Sequence, residues 1–520
     1  MAYVMGIDVG TSATKTAIFQ DNGRMVSSSV AKYGLSQPYP GWAEQNPEDW
    51  WNATVESARQ AIADAELLGV KPYDIVAIGL SGQMHGAVCL DAAGQVIRPA
   101  IIWCDQRSDA QCDWMAKHLG ETNIIKWTGN PPLPNLTATK LLWLHDKEPF
   151  NYDRIAHVLL PKDYIRWMLT GNYATDVSDA SGTLLLDVRN RQWSSAMLES
   201  LDIPLNWLPT VFESQEVVGH ITRNAAYSTG IMEGTPVVAG AGDQAAGAVG
   251  SGVVEPGVVS CTIGTSGVVF ASTEGMWLDS LGRLHSFCHA VPGMWHVMGV
   301  TQAAGGSLQW FRRTLSPCEE EVARATGEDV YDYLSREAET VPPGCDGLLF
   351  LPYLMGERTP HLDPFARGAF IGLTSRHKRA HLVRAIMEGV THSLRDCLQL
   401  IEELGVSVER VLVSGGGSRS SLWRQMHADV FGREVAVVAS AEGAAFGAAL
   451  LAGVGVGIYS TVQDACRSTV RLADVSKPCD ADRKVYDQMY AIYSRLYPQL
   501  SDVMHALTDS EKALGMFKGL

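Results

Sequence analysis

Two stretches of the chain place Gly-Thr-Ser directly after a short apolar run: MGIDVGTSATK, from Met5 to Lys15, and SCTIGTSGV, from Ser260 to Val268. Each is followed by a second strand-like run, so each reads as a strand, a tight turn carrying hydroxyls, and a returning strand. Glycine lets the backbone turn freely and approach a ligand closely, and such a turn gathers N–H groups into a concavity that suits phosphate oxygens. Gly10, Thr11 and Ser12 form the first candidate cradle; Gly264, Thr265 and Ser266 form the second. Lys15 either adds a cation near the first cradle or points outward. One such turn carries little information. Two of them, about half a chain apart, suggest two related domains facing one nucleotide. Asp8, at the end of the first strand, stands where a metal ion on those phosphates would need an oxygen ligand; a strand-end carboxylate that merely caps its own turn is the alternative.

The elements that must position these residues follow from local patterning. Tyr3 to Asp8, Thr14 to Phe19 and Met25 to Ala31 read as strands, with Asp21-Asn22-Gly23 turning the second into the third. Asn46 and Pro47 suit the N-cap and first position of a helix whose apolar face is Trp51, Val55, Ala58 and Ile62. Asp74 to Leu80 is the next strand, ending at SGQMHG. Leu133 to about Thr235 reads mostly as helices and loops. A domain hinge is expected in Gly252–Gly257, after the Gly- and Ala-rich segment around Asp243. Arg410 to Val413 is a strand that runs through Gly415, Gly416 and Gly417 into a helix begun near Ser418 and stopped by Gly432. An Ala- and Gly-rich helix over Glu442 to Ala452 suits close packing on a neighbour. Val485, Met489, Ile492 and Leu496 mark a last amphipathic helix that Pro498 ends or kinks.

Size and composition narrow the function classes. The 520 residues allow two large domains, and 46% hydrophobic with 19% charged residues fits a well-packed chain rather than a disordered one. A net charge of −16, from 41 basic and 57 acidic residues, disfavours nucleic acid as a partner. A polyanionic ligand must therefore be held locally by backbone dipoles, a few cations and a metal. No apolar run approaches the ~20 residues of a membrane span, and MAYVMGID has no basic leader. Ten single cysteines without a CxxC pair indicate neither a zinc site nor a disulfide framework. Reduced thiols in a cytoplasmic protein are the expectation.

Longer segments now resemble the FGGY carbohydrate kinases, on the fold shared by actin, hexokinase and the heat-shock ATPases. GAFIGLTSRHKRAHLVRAIMEG (368–389) is similar to the C-terminal signature of that family, and TATKLLWL (137–144) to its N-terminal signature, although Asn135 is not the usual residue at that motif's start. SGQMHG (81–86), LLPKDY (159–164), TDVSDASGT (175–183), GAGDQAAGAVG (240–250), HSFCHA (285–290) and GERTPH (356–361) resemble the family's xylulokinase branch. The resemblance implies an α/β fold of two actin-like (ribonuclease H-like) domains with a nucleotide and sugar cleft between them. Residues 1–254 would hold the sugar, the first cradle and the catalytic aspartate. Residues 255–520 would hold the second cradle and the adenosine, and a helix over about 481–497 is a candidate to pack back across both domains.

The same resemblance distributes roles. Asp243 is the catalytic base that accepts the sugar hydroxyl's proton, and with Asp8 it is a candidate ligand of Mg²⁺. An N-cap without catalytic duty is the plainer alternative for Asp243. Gly10, Thr11, Ser12, Lys15, Gly264, Thr265, Ser266, Gly415, Gly416 and Gly417 are the expected ATP contacts. Met84, His85, Trp103, Asp105, Arg107, Asp243 and Gln244 are the expected sugar contacts, with a structural ion pair equally open for Asp105 and Arg107. Cys104, Gln106 and Gln244 depart from the family's common Asn, Gly and Asn and bear on which ketose fits. Glu357 and Arg358 resemble a subgroup marker whose role residue type alone does not disclose. The reaction implied is transfer of a phosphoryl group from ATP to D-xylulose, giving D-xylulose 5-phosphate. Ribulose or glycerol as acceptor, an actin-like ATPase without a sugar, and a sugar-sensing protein are the alternatives. Partners are limited to ATP and a small sugar, with no nucleic acid or membrane, and a homodimer stays open.

Overall fold

The structure, a computed structural model, describes residues 2–439 and 443–514. Two seven-stranded sheets dominate it. In the first, the order runs Val217–His220, Pro236–Val238, Ile75–Gly82, Tyr3–Val9, Ala13–Gln20, Met25–Lys32, with the short strand Ala241–Gly242 also pairing with Ile75–Gly82. In the second, it runs His285–Cys288, Trp295–Thr301, Gly267–Thr273, Gly257–Ile263, Val408–Ser414, Glu434–Val438, Leu472–Ser476. Each sheet is centred on an antiparallel hairpin flanked by a parallel strand: Tyr3–Val9 with Ala13–Gln20 and Ile75–Gly82, and Gly257–Ile263 with Gly267–Thr273 and Val408–Ser414. The two Gly-Thr-Ser turns therefore occupy equivalent places in a duplicated unit.

Local signals worked where they were strong. Asn46 caps the helix Pro47–Leu67, accepting from the Glu48 N–H. Gly432 ends the helix Ser421–Phe431 in the left-handed conformation, while Ser420 rather than Ser418 caps its start, because Gly416–Arg419 first forms a 3₁₀ turn. The region 133–235 is mostly helices and loops, as expected, with short strands between them. Val217–His220 and Pro236–Val238 join the main sheet as strands of four and three residues, too short to announce themselves by periodicity and held by their neighbours.

The lobes are tied together by one helix, Gly443–Gly455, which follows the second sheet's Glu434–Val438 in the chain yet packs on the first sheet. It approaches so closely that a Cβ on Gly6 would lie 1.8 Å from the Ala445 carbonyl oxygen, and one on Gly79 1.8 Å from that of Ala448. Gly447 meets Ala246 O in the same way, bringing in the helix Asp243–Ser251. The expected start of this helix at Glu442 lies outside the described residues. This helix, and not the last one, is what crosses back between the lobes. The expected helix over about 481–497 is two helices, Asp480–Tyr493 and Leu496–Ala513. Both stay on the second lobe: Tyr486 hydrogen-bonds with Arg384 and Glu388, and Tyr490, Tyr493 and Met504 pack with Leu351 and Tyr353. Pro498 begins the later helix, where its missing N–H costs nothing.

The close contacts give a stability prediction. Gly79→Ala forces the strand off the Gly443–Gly455 helix and lowers stability by about 1–3 kcal/mol or more in chemical denaturation. Gly34→Ala, with no atom within 4 Å of the new Cβ, leaves the midpoint unchanged.

Candidate active site

The register of the first sheet assembles the acidic centre. Asp8 pairs with Ser81 on one side and Lys15 on the other, and Ser81 pairs in turn with Ala241. Two residues beyond Ala241, Asp243 opens the helix Asp243–Ser251. Strand pairing thus delivers Asp8 and Asp243, 235 positions apart in the chain, to one edge of one sheet. Their carboxylates repel. Burial, and then the charge of Asp8, push the Asp243 carboxyl up to about 7, against the opposing hydrogen bonds of Gln244. Asp8 is also raised by burial, with Ser81 and Lys15 opposing, and its Oδ1 is buried with no hydrogen-bond partner. Both residues keep partial solvent access.

A second network, which sequence reasoning quoted as motifs but gave no role, holds Asp243 in place. The Gly242 N–H donates to Ser178 Oγ at 3.1 Å, and Ser178 Oγ donates to Asp176 Oδ2 at 2.5 Å. Asp176 also accepts from Ser214 Oγ at 2.9 Å and pairs with Lys162 Nζ at 2.9 Å. Lys162, Asp163, Arg166, Asp176 and Asp179 are all fully buried. Charges of both signs inside LLPKDY and TDVSDASGT, in otherwise apolar surroundings, were the available signal.

The two turns solve one problem with different braces. In the first, Gly10 O accepts from Tyr33 OH at 2.6 Å, Thr11 O from Gln45 Nε2 at 2.7 Å, and Ser12 O from the Tyr33 N–H at 3.2 Å. In the second, Gly264 O accepts from Gly305 N at 2.8 Å, and Thr265 O from Ala304 N at 2.9 Å and Gly306 N at 3.0 Å. The carbonyls are spent on the protein, while the N–H groups of Thr11, Ser12, Thr265 and Ser266 have no partner among the described residues. That is the polarity an anion needs. Gly305 and Gly306, at the start of the helix Gly305–Leu315, were missed; the Gly pair just after the strand Trp295–Thr301 was the signal. Gly415, at φ +82°, and Gly417 lie against Ile263, where a Cβ would meet Ile263 O at 2.6 Å and Ile263 Cγ2 at 2.4 Å respectively, and Gly416 faces open space. Lys15 lies across from Asp8 and acts on it, so it points toward the acidic centre rather than outward.

The expected sugar contacts separate into two groups. His85 adopts φ +70° and donates Nδ1–H to Gly182 O at 2.7 Å, since a carbonyl only accepts. Burial, and then Lys140, push its imidazole down to about 3, so it is neutral and Nε2 carries a free lone pair. Its own carbonyl accepts from Lys140 Nζ at 2.7 Å and Thr137 Oγ1 at 3.1 Å. Trp103 is 43% exposed and donates its indole N–H to Thr11 Oγ1 at 2.9 Å, beside the first turn. Gln244 turns its amide back to Asp243 Oδ1 at 3.3 Å.

Met84, Asp105 and Arg107 are placed otherwise. Met84 is 4% exposed and packs with Phe270, Phe287 and Val300 between the lobes, pressed against Gly182 and Gly242, so it shapes the crevice wall from behind. Arg107 grips Asp105 through Nε and Nη2 (2.7 Å) and Glu44 through Nη1 (2.7 Å), and stacks 3.6 Å over Trp42. Asp105 also accepts from the Ala43 N–H at 2.5 Å. The side chains of Asp105 and Arg107 are each 1% exposed. Of the two open readings, the geometry is that of a structural ion pair anchoring the Trp103 loop. Cys104 is partly buried near Lys140, and Gln106 is exposed.

Comparison with known proteins converges on this architecture. The model of the N-terminal domain of the FGGY family of carbohydrate kinases matches residues 3–250, and that of its C-terminal domain matches residues 259–456. A xylulose kinase of Bacillus subtilis (strain 168) is 39% identical over 98% of this chain and 100% of its own length. One from Escherichia coli (strain K12) is 39% identical over 96% and 99%. The crystal structure of xylulose kinase from Rhodospirillum rubrum superposes with a TM-score of 0.89 at 31% identity, covering 97% of this chain and 100% of that one. With matches to both domain models, and duplicated sheets whose Gly-Thr-Ser turns are polarised for an anion, the chain belongs to the FGGY family of carbohydrate kinases.

Proposed function

We propose that this protein transfers the γ-phosphoryl group of ATP to the terminal hydroxyl of D-xylulose, releasing D-xylulose 5-phosphate and ADP. The observation that carries the reading is the convergence of Asp8 and Asp243 at one sheet edge, next to a turn whose carbonyls are occupied and whose N–H groups are free. The acceptor is taken from the full-length likeness to xylulose kinases.

The chain's own residues supply positioning and charge. The Thr11, Ser12, Thr265 and Ser266 N–H groups receive phosphate oxygens, and the bare backbone at Gly415–Gly417 receives the nucleoside. Asp243 accepts the proton of the attacking hydroxyl and orients that oxygen toward phosphorus. In a loose phosphoryl transition state positioning counts for most of the effect. An upward-shifted carboxyl suits the task, because a base poised near working pH both ionises and holds a proton well. His85 Nε2 accepts a sugar hydroxyl away from the reacting end. Asp8 and Asp243 fit a role as Mg²⁺ ligands: Asp8 Oδ1 lacks a donor, the two carboxylates repel, and Mg²⁺ is commonly held by one or two carboxylates plus substrate phosphates. When bound, the cation would offset phosphate charge.

Three outcomes test the reading. In an ADP-coupled assay the protein turns over with D-xylulose and yields a phosphorylated ketose by ³¹P NMR; ADP release that is independent of sugar rejects it. Asp243→Ala retains the wild-type circular-dichroism spectrum and loses turnover by about 10³-fold or more, on the order of the upper range for a general base together with lost orientation; near-normal turnover removes the assignment. Asp243→Asn also reports on stability. The Asp243 pKa is raised from 3.8 to about 7, so the folded state binds more protons than the unfolded one in that window, and wild-type stability is lost as pH rises through it. The Asn variant therefore melts roughly 2–4 °C above wild type at pH 8, and the gap closes toward pH 4.

A further inference from the structure

The sugar end of the crevice holds a cation that the mechanism above does not use. Arg358 lies in GERTPH, on the second lobe, and its backbone is clamped. Glu357 Oε2 accepts from Thr301 Oγ1 at 2.7 Å and Ser393 Oγ at 3.3 Å, and its Oε1 accepts from the N–H groups of Gln302 at 2.9 Å and Arg358 at 2.7 Å. Thr359 pairs both ways with Val300, its N–H donating at 2.9 Å and its hydroxyl accepting at 3.0 Å. From this fixed base the Arg358 side chain reaches the first lobe, where Nη2 donates to Asn135 Oδ1 at 3.0 Å. Asn135 is the residue that departs from the family's usual start of the N-terminal signature. Its carbonyl accepts from Lys140 Nζ at 2.8 Å, the same ammonium that holds the His85 carbonyl. One chain of contacts therefore runs from Arg358 through Asn135 and Lys140 to His85.

The guanidinium is partly buried and lacks a counter-ion. Among the described residues no carboxylate lies within ion-pair distance of it, and Nε and Nη1 have no hydrogen-bond partner. Both oxygens of the adjacent Glu357 are already occupied by four donors. Taking a cation even partly out of water without pairing it is unfavourable, so the arrangement makes sense with an acceptor that arrives with the substrate. Position limits what that acceptor is. Arg358 Nη2 bonds Asn135, and the Asn135 carbonyl shares the Lys140 ammonium with the carbonyl of His85, an expected sugar contact. The guanidinium therefore stands on the His85 side of the crevice. Beside it, His85 Nε2 is a lone-pair acceptor. A donor next to an acceptor complements a carbonyl next to a hydroxyl, which is the far end of an open-chain ketose phosphorylated at its terminal carbon.

We propose that Arg358 reads the keto oxygen of the open-chain sugar, with Asn135 orienting the guanidinium and His85 Nε2 receiving the neighbouring hydroxyl. The inference rests on the reading that Asp243 faces the terminal hydroxyl of a ketose. Calorimetric titration of the full chain without nucleotide, using D-xylulose and xylitol, tests it, because xylitol has the same carbon chain with the carbonyl reduced. Wild type binds D-xylulose more tightly than xylitol. Arg358→Met loses roughly 10- to 100-fold on D-xylulose, the range for a charge-assisted hydrogen bond, and less than about threefold on xylitol, which offers no carbonyl. Asn135→Ala, which leaves the cation but removes its support, loses a smaller factor with the same ketose selectivity and serves as the test if Arg358→Met does not fold. Equal losses on both ligands, an unchanged D-xylulose affinity, or a wild type indifferent to the carbonyl overturns the proposal. A wild type that phosphorylates no ketose overturns the functional reading beneath it instead.

Discussion

Two negative charges are held together against their own repulsion, and most of the molecule serves that constraint. Asp8 and Asp243 come from strands and turns far apart in the chain and meet at one sheet edge because Ser81 stands between their strands. Like charges at a partly desolvated site raise each other's proton affinity. Burial, and then the charge of Asp8, push the Asp243 carboxyl up to about 7. Keeping such a pair requires rigid support. The buried Lys162–Asp176–Ser178 network grips the Gly242 N–H immediately before Asp243. The Gly443–Gly455 helix then clamps the strand of Asp8 and the helix of Asp243 from behind, through contacts only glycine permits.

Duplication explains the anion cradles and also their asymmetry. Both turns follow the same hairpin and both spend their carbonyls internally, yet the first is braced by Tyr33 and Gln45 and the second by the start of the Gly305–Leu315 helix. The positions equivalent to Asp8 and Ser81 are Thr262 and Ser414, whose hydroxyls simply hydrogen-bond to each other at 2.9 Å. One copy kept a carboxylate at the strand end. The other has a neutral pair there, so the acidic centre belongs to the first lobe alone while anion-binding polarity is shared.

Hydrogen bonds also join the lobes. Asn130 donates Nδ2–H to Ser286 O at 2.9 Å, the Cys288 N–H donates to Ser181 Oγ at 3.0 Å, and Trp295 Nε1 donates to Val188 O at 2.8 Å. Such contacts are directional and exchangeable with water, unlike the apolar packing around Gly443–Gly455. The Arg358–Asn135 hydrogen bond is another of these.

The sequence by itself determined the duplicated strand–turn–strand units, the candidate carboxylates and the family. Each of these depends on a few neighbouring residues: glycines at a turn, an apolar run before it, a charge at its end. The Asn46 cap and the Gly432 stop were legible for the same reason. The tertiary structure alone decided that Lys15 faces Asp8, that Asp105 and Arg107 close on each other and Glu44, that Met84 lies behind the crevice wall, and that the Gly443–Gly455 helix crosses the lobes in place of the last one. It also decided that Arg358 meets Asn135. These outcomes hang on partners more than a hundred positions apart, or on which of two satisfiable partners a charge selects once water is removed. Residue type states what a group can bond to; burial and the packing of distant strands settle which bond is made.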